Sequence, residues 1–225
     1  MNRIDLAISA IGLVKHYDGG RAKALDGLSI DVAQGAMIAL VGPSGSGKST
    51  LLYALAGLVD LDVGTIVIEG RRPGGEADWT RLRASTIGLV FQESWLLPTL
   101  TAAQNIELPM VGVEASARVR TRRVEELLET VGMAGFAGRM PDSLSGGERQ
   151  RIAMARSLAN GPRILLADEP TGELDSANSA RIMEMMAKLR AERGVTMLIV
   201  THDPRMAAYC DRRYEVVDGT GTYVD

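Results

Sequence analysis

One glycine-rich stretch of this chain has the residue types and spacing needed to hold a phosphate chain. It reads Gly42-Pro43-Ser44-Gly45-Ser46-Gly47-Lys48-Ser49-Thr50. Glycines let successive backbone N–H groups curl around a phosphate, while Lys48 reaches the β- and γ-oxygens and the Ser49 hydroxyl ligates Mg²⁺. A glycine-rich turn without a ligand would account for the glycines but not for Lys48-Ser49. We therefore predict a nucleotide-binding loop between a strand and a helix.

A second segment, residues 144–150, has the sequence Leu-Ser-Gly-Gly-Glu-Arg-Gln, which is typical of a helix start. Ser145 can cap such a helix, while Gly146 and Gly147 leave its first backbone N–H groups uncovered by side chains. An anion can approach those groups closely. Together with Glu148, these residues are predicted to form a second phosphate-binding element.

Two carboxylates, Asp168 and Glu169, follow the apolar run of residues 164–167. In parallel α/β sheets ligands lie at the carboxyl ends of the strands, so Asp168 is expected beside the glycine loop as a partner of Mg²⁺. Glu169 is expected to lie nearer the γ-phosphate, where a carboxylate orients or deprotonates the attacking water. The alternative is a strand end with solvated acidic side chains, which the nearby glycine loop makes less favourable.

Gln92 and His202 also follow predicted strands, residues 87–91 and 196–201. An imidazole at the position of His202 can donate a hydrogen bond to the γ-phosphate. The amide of Gln92 can offer its oxygen to Mg²⁺ or its nitrogen to water. We therefore predict that Glu169, His202, Lys48 and Gln92 are catalytic, and that Ser49, Gln92 and Asp168 bind the metal.

The loop after Gln92 carries Trp95 and Leu97 where the chain changes direction. Exposed apolar side chains in a loop often mark a surface that binds a partner. The alternative is that both side chains pack against the helical segment that follows.

The apolar patterns predict the elements that position these residues. Residues 6–14, 28–32 and 66–69 are predicted to form an antiparallel layer, and residues 37–41, 87–91, 164–167 and 197–200 a mostly parallel sheet. Helical patterns separate the parallel strands, which predicts a P-loop α/β fold with helices on both faces of the sheet. Residues 98–143, with a helix at 124–131, are predicted to form a helical subdomain inserted into a single domain spanning 1–225.

Composition supports a compact domain and gives no sign of nucleic-acid binding. The 225 residues are 46% hydrophobic and carry a net charge of −3. Arg118, Arg120, Arg122 and Arg123 are expected to form one solvated helix face. Cys210 is the single cysteine, and neither a signal peptide nor a membrane span is expected. A cytoplasmic protein is predicted, and any membrane-spanning part would be another subunit.

The motifs resemble those of the ATP-binding cassette (ABC) ATPases, in the same order along nearly the whole chain. The matched motifs are the adenine-stacking aromatic (Tyr17), the Walker A loop (42–50), the Q-loop (Gln92), the signature (144–150), the Walker B end with its glutamate (Asp168 and Glu169), the D-loop (172–175) and the switch histidine (His202). Tyr17 is the least specific of these, because an aromatic residue in a strand is also common in a core.

This resemblance implies an ABC ATPase cassette that binds ATP and Mg²⁺. It further implies a homodimer in which each ATP lies between the Walker A loop of one copy and the signature of the other. In such families membrane permease subunits dock beside the Q-loop, here residues 92–97, and the helical insert, which implies a peripheral position on the inner face of the membrane. Residues 91–92, 96–101, 105–109 and 168–172 resemble the subgroup of lipoprotein-release and macrolide-export ATPases.

Two alternatives from other classes stay open at this stage. A soluble ABC protein of DNA repair or translation would share the nucleotide motifs, but such proteins typically carry long coiled-coil insertions, zinc motifs or a second fused cassette. A P-loop kinase acting on a small molecule would have no use for residues 144–150.

Overall fold

The structure, a computed structural model, describes residues 5–17, 19, 22–172 and 174–224. Glu173, one of the D-loop positions, lies outside the described residues. The elements in chain order are β1 (Leu6–Tyr17), β2 (Ala22–Ala33), β3 (Met37–Val41), α1 (Lys48–Leu55), β4 (Val63–Ile68), α2 (Glu76–Ser85), β5 (Ile87–Val90), α3 (Ala102–Glu107), α4 (Ala117–Thr130), α5 (Gly146–Ser157), β6 (Ile164–Asp168), α6 (Ser176–Arg193), β7 (Thr196–Val200), α7 (Pro204–Ala207), β8 (Arg212–Val217) and β9 (Thr220–Val224). Short 3₁₀ helices span Leu108–Met110, Ala134–Phe136 and Pro141–Ser143.

Two sheets form the framework. The smaller one is antiparallel with strand order β2-β1-β4, and the larger one has the order β5-β6-β7-β3-β8-β9. Neighbouring strands from β5 to β8 are parallel, whereas β9 runs antiparallel to β8. The predicted α/β fold with an antiparallel layer is confirmed. Within the described ranges, no helix combines the length and apolar character needed to cross a bilayer.

Alternate residues of the central strands face two separate parts of the core. In β6, Ile164 and Leu166 pack on the side of α1 and the antiparallel sheet, whereas Leu165 and Ala167 pack on the side of α5 and α6. Side chains alternate between the faces of a strand, so a strand covered on both sides reads as a continuous apolar run. This is why the central strands were recognisable from the sequence.

The C-terminal hairpin of β8 and β9 was not predicted from the sequence. In β8 only Tyr214 and Val216 are buried, and charged residues alternate with them. Because this strand lies near the edge of the sheet, its pattern lacks the continuous apolar run of β6 or β7. The hairpin nevertheless matters for the site, because β8 pairs with β3 directly before the glycine loop.

The helices between β5 and β6 are more extensive than the sequence pattern indicated. Ser116 caps α4 by accepting a hydrogen bond from the amide of Val119, so this helix begins well before residue 124. The expectation of one solvated arginine face is wrong for two of its members. Arg120 forms an ion pair with Glu107, and Arg123 donates hydrogen bonds to the carbonyl oxygens of Leu158 and Ala159 at the end of α5.

Candidate nucleotide site

The predicted phosphate and catalytic residues surround one cavity of about 580 Å³. It lies where β3, β6 and β7 end, at the carboxyl edge of the parallel sheet. The lining residues are Tyr17, Ala22, Lys23, Ala24, Gly42, Ser44, Gly45, Gly47, Lys48, Ser49, Thr50, Gln92, Glu169 and His202. The fold therefore brings together side chains that are widely separated in the sequence. Pro43, Ser46 and Asp168 are not among the lining residues but contact Lys48 or Ser49.

The glycine loop is shaped by the strands that pack against it. Gly42 has a φ of 136° and Gly47 a φ of 109°, which side-chain-bearing residues rarely adopt. A Cβ atom on Gly42 would overlap the carbonyl oxygen of Val216 in β8, and one on Gly47 would overlap that of Ala24 in β2. Glycine is therefore needed at both positions, for conformation and for space.

The ammonium group of Lys48 is buried inside the loop. Its Nζ donates to the carbonyl oxygens of Gly42 at 2.9 Å and Pro43 at 2.6 Å, and lies 3.5 Å from Ser46 Oγ. All three acceptors are neutral oxygen atoms, so none of them is a counter-ion for the ammonium group. The first backbone amide bonded within α1 is that of Leu51, donating to the Gly47 carbonyl oxygen, so the preceding amides lie at the positive end of the helix dipole. This combination fits a bound anion.

Asp168 ends β6 and is almost fully buried, with 3% of its surface exposed. Its Oδ1 accepts a hydrogen bond of 3.1 Å from Ser49 Oγ, and its Oδ2 one of 2.6 Å from Tyr53 Oη. Burial, followed by the bond to Asp168, raises the pKa of Tyr53, which therefore stays protonated and donates. Mg²⁺ is commonly bound through one or two carboxylates together with substrate phosphates, so the Ser49 and Asp168 oxygens fit this ion.

Glu169 and His202 face each other across the ends of β6 and β7. The Nδ1 atom of His202 lies 3.2 Å from Glu169 Oε2, and the exposed fractions of the two side chains are 68% and 23%. The amide of Glu169 donates to the carbonyl oxygen of Val200 at 3.1 Å, which fixes the backbone where the strands end. Glu169 has a φ of 43°, an uncommon value for a residue with a side chain. Such backbone strain concentrates at functional sites.

Gln92 is exposed and lines the cavity, and the loop that follows it displays apolar side chains. The Trp95 side chain is 61% exposed and stacks on Phe91 with ring centroids 4.8 Å apart. Leu97 is 43% exposed, while its backbone is bonded to the buried side chain of Asn105 in α3. Of the two interpretations of this loop, the structure favours the exposed apolar surface.

Helix α5 is hydrogen-bonded to both Phe91 and the loop of residues 92–97, which is called the Gln92 loop below. Gln150 Nε2 donates to the carbonyl oxygen of Phe91 at 3.2 Å, and the Arg156 guanidinium donates at 2.7 Å to those of Ser94 and Trp95. Burial lowers the pKa of Arg156 from its usual range. Sequence reasoning missed Arg156, because an arginine in an amphipathic helix is usually solvated. Its only sequence signal is its place in the helix that begins with the signature.

The signature residues form the expected helix start but do not reach the cavity. Ser145 Oγ accepts from the amide of Glu148 at 3.3 Å, and a Glu148 carboxylate oxygen accepts from the amide of Ser145 at 2.7 Å, which is a capping box. The bond from the Ser145 amide lowers the pKa of the Glu148 carboxyl group. Residues 145–148 are not among the described residues that line the cavity. Gly147 instead lies against Leu174, beside α6.

Tyr17 ends β1 at the rim of the cavity. Its side chain is 41% exposed, with Lys15 Nζ 5.3 Å from the ring centroid. This position differs from the core packing that was the alternative for Tyr17. An exposed ring at the cavity rim is able to stack on a planar base.

The chain is similar to known proteins over most of its length. The family model described as "ABC transporter" matches residues 25–172. The lipoprotein-releasing system ATP-binding protein LolD of Roseobacter denitrificans is 42% identical over 214 residues, covering 92% of this chain and 94% of that protein. The ABC transporter ATP-binding protein YtrE of Bacillus subtilis is 39% identical, with 87% of this chain and 85% of YtrE covered.

Solved structures are similar over nearly the whole chain. The dimeric, post-hydrolysis structure of the ATP-binding cassette MJ0796, bound to ADP and Pi, has a TM-score of 0.90 and 35% sequence identity. The alignment covers 97% of this chain and 99% of that one. A cassette from Clostridium perfringens, cbiO1, described as part of the transporter complex cbiONQ, has a TM-score of 0.88 and 28% identity.

Proposed function

Because this chain belongs to the ABC transporter family and is an ATP-binding, ATP-hydrolysing cassette, we propose that it powers lipoprotein release or macrolide export together with a separate membrane permease. The observation that carries the ATP-driven part of this proposal is the cavity that Lys48, Glu169 and His202 all line. The names of the similar LolD proteins support lipoprotein release.

The residues around the cavity have separable binding roles. The glycine loop and Lys48 bind the β- and γ-phosphate oxygens of ATP, and Tyr17 stacks on adenine. Ser49, Asp168 and Gln92 hold Mg²⁺, which when bound neutralises charge on the phosphate oxygens. Oriented amides and a buried ammonium group add to this neutralisation, because they keep their orientation when charge moves during hydrolysis.

Glu169 and His202 act on the attacking water and on the γ-phosphate. The Glu169 carboxylate accepts a hydrogen bond from the water and takes its proton as the new bond forms. The Nδ1 atom of His202 lies 3.2 Å from Glu169 Oε2, and with both ring nitrogens protonated the imidazolium would orient this carboxylate through one N–H and donate the other toward the terminal phosphate. In this arrangement Glu169 contacts the attacking water and His202 contacts the phosphate that the water attacks.

The ATP site is proposed to be completed by a second copy of the chain. The glycine loop and the signature helix are two separate N-terminal anion sites, and the signature residues lie outside the cavity. A head-to-tail pair would place the signature of one copy against the nucleotide held by the other. Two helix N-termini would then neutralise the triphosphate from opposite sides. The dimeric state described for MJ0796 supports this arrangement.

Mixing two inactive variants tests the shared site. Lys48→Ala removes the ammonium group from the glycine loop, and Ser145→Arg blocks the signature, so neither variant alone should hydrolyse ATP. A mixed pair combines one intact glycine loop with the partner's intact signature, and an equimolar mixture should recover about a quarter of wild-type turnover if pairing is random. Steady-state phosphate release measures this. No recovery from two folded variants would contradict a shared site.

The permease is proposed to dock in a groove beside the Gln92 loop. This docking groove has a volume of about 300 Å³ and is lined by Leu89, Phe91, Trp95, Pro109 and Arg156, among others. The groove lies between the end of β5 and residues 98–143, which we propose form a helical subdomain. Since α5 bonds to the Gln92 loop, a change at the nucleotide can reach the groove. Docking there would hold the protein on the inner face of the membrane.

Replacing Trp95 tests the docking groove. We expect Trp95→Ser to reduce co-purification of an integral membrane protein from detergent extracts by about tenfold or more, because a central interface tryptophan contributes about 2 kcal/mol or more. Nucleotide affinity should be retained. The matched control is Ile11→Ser, since Ile11 is equally exposed, at 60%, on β1. Enrichment of ribosomes or DNA instead of a membrane protein, or equal loss with the control, would contradict the proposal.

A further inference from the structure

Helix α1 contacts the Asp168 carboxylate at both of its oxygens. Ser49 and Tyr53 are four residues apart and therefore lie on the same face of this helix. Ser49 Oγ donates to Oδ1 at 3.1 Å, and Tyr53 Oη donates to Oδ2 at 2.6 Å. The Tyr53 bond is the shorter of the two. Neither the nucleotide motifs nor the roles proposed above include Tyr53.

We propose that Tyr53 is a positioning residue that orients the Asp168 carboxylate for the metal. This inference rests on the proposed function, in which Ser49 and Asp168 hold Mg²⁺. A carboxylate bonded at one oxygen keeps rotational freedom, because the terminal torsion of aspartate is broad. A second bond, at Oδ2, fixes the plane of the group and leaves Oδ1 directed toward Ser49. Partners that hold a metal-binding carboxylate in this way tune metal affinity.

The position of the Tyr53 hydroxyl is itself fixed by ring packing. The Tyr53 ring lies 6.0 Å from the Phe91 ring at an interplanar angle of 45°, and Phe91 stacks on Trp95. Phe91 directly precedes Gln92, another proposed metal ligand. The same aromatic row therefore supports the Asp168 carboxylate and the start of the Gln92 loop. Asp168 is buried, so water cannot freely replace the Tyr53 bond at Oδ2.

The test measures how much Mn²⁺ strengthens nucleotide binding. AMP-PNP affinity of the full chain is determined by calorimetry twice, once in EDTA and once with saturating Mn²⁺. For Tyr53→Phe we expect the affinity gained from Mn²⁺ to fall by about tenfold or more, the range found when a partner of a metal ligand is removed. Affinity in EDTA should remain within about twofold of wild type. Lys48 is held by the carbonyl oxygens of Gly42 and Pro43, and Tyr53 takes no part in these hydrogen bonds.

Tyr214→Phe is the matched control. Tyr214 is buried and donates to the carbonyl oxygen of Ser29 at 2.7 Å, so this substitution also removes one buried hydroxyl group. It should leave the gain from Mn²⁺ unchanged. An unchanged gain in Tyr53→Phe, an equal loss in both variants, or failure of Tyr53→Phe alone to fold would overturn the inference. Absence of AMP-PNP binding by the wild-type chain would instead contradict the proposed function.

Discussion

Glu169→Gln is expected to bind ATP as tightly as the wild-type chain but to hydrolyse it about 10²–10⁴-fold more slowly, the usual contribution of a general base. Glutamine keeps the size and polarity of the side chain at the strand end but cannot accept the proton of the attacking water. The dimer should therefore accumulate with ATP bound. Phosphate release and size-exclusion chromatography in the presence of ATP measure the two effects.

Glu184→Gln provides the comparison for this result. Glu184 lies exposed on α6, so the same chemical change there should leave turnover unaffected. Undiminished hydrolysis by Glu169→Gln would exclude Glu169 as the base. Loss of ATP affinity together with turnover would assign Glu169 to binding rather than to the chemical step.

Lys48→Ala should weaken ATP binding by about 10–100-fold, which corresponds to the loss of hydrogen bonds from a charged donor. The substitution removes the positive charge that the carbonyl oxygens of Gly42 and Pro43 hold inside the loop. Those oxygens would then face the phosphates without an ammonium group between them, which adds repulsion. Titration with a fluorescent ATP analogue measures the change in dissociation constant.

Lys188→Ala removes an equivalent charge from the surface. Lys188 is largely exposed and pairs with Glu192 in α6, so its loss should change neither nucleotide affinity nor the unfolding temperature beyond experimental error. Equal ATP affinity of Lys48→Ala and wild type would contradict the role given to Lys48. The unfolding temperature of Lys48→Ala is also measured without nucleotide. A lowered value would indicate a folding defect, whereas an unchanged value would assign the loss of affinity to binding.

Much of the site was predictable because its parts follow local rules. The glycine loop is encoded by contiguous residues, because its backbone amides and Lys48 lie next to one another in the sequence. Asp168, Glu169 and His202 were placed together by a general property of parallel sheets, whose strands end at the same edge. The buried runs that identify β6 and β7 arise because helices or strands cover both faces of the sheet.

Other features depended on contacts between distant segments. Tyr53 resembles any residue of an amphipathic helix until β6 places Asp168 beside it. Arg123 was expected to be solvated and Arg156 was not singled out, yet each donates to backbone carbonyl oxygens of another segment. Sequence spacing shows which residues share a helix face, but not which carbonyl oxygens that face meets.

The sequence by itself was enough to predict the groups proposed to carry the chemistry of this protein: a phosphate-binding loop, a strand-end pair of carboxylates, a histidine and a capped glycine-rich helix start. Each is encoded within a few consecutive residues, where backbone geometry and side-chain type act locally. Only the tertiary structure decided that most of these groups surround one cavity while residues 145–148 lie outside it, and that α1 bonds both oxygens of Asp168. Such relations are set by strand order and packing, which join segments far apart in the chain and leave no local pattern.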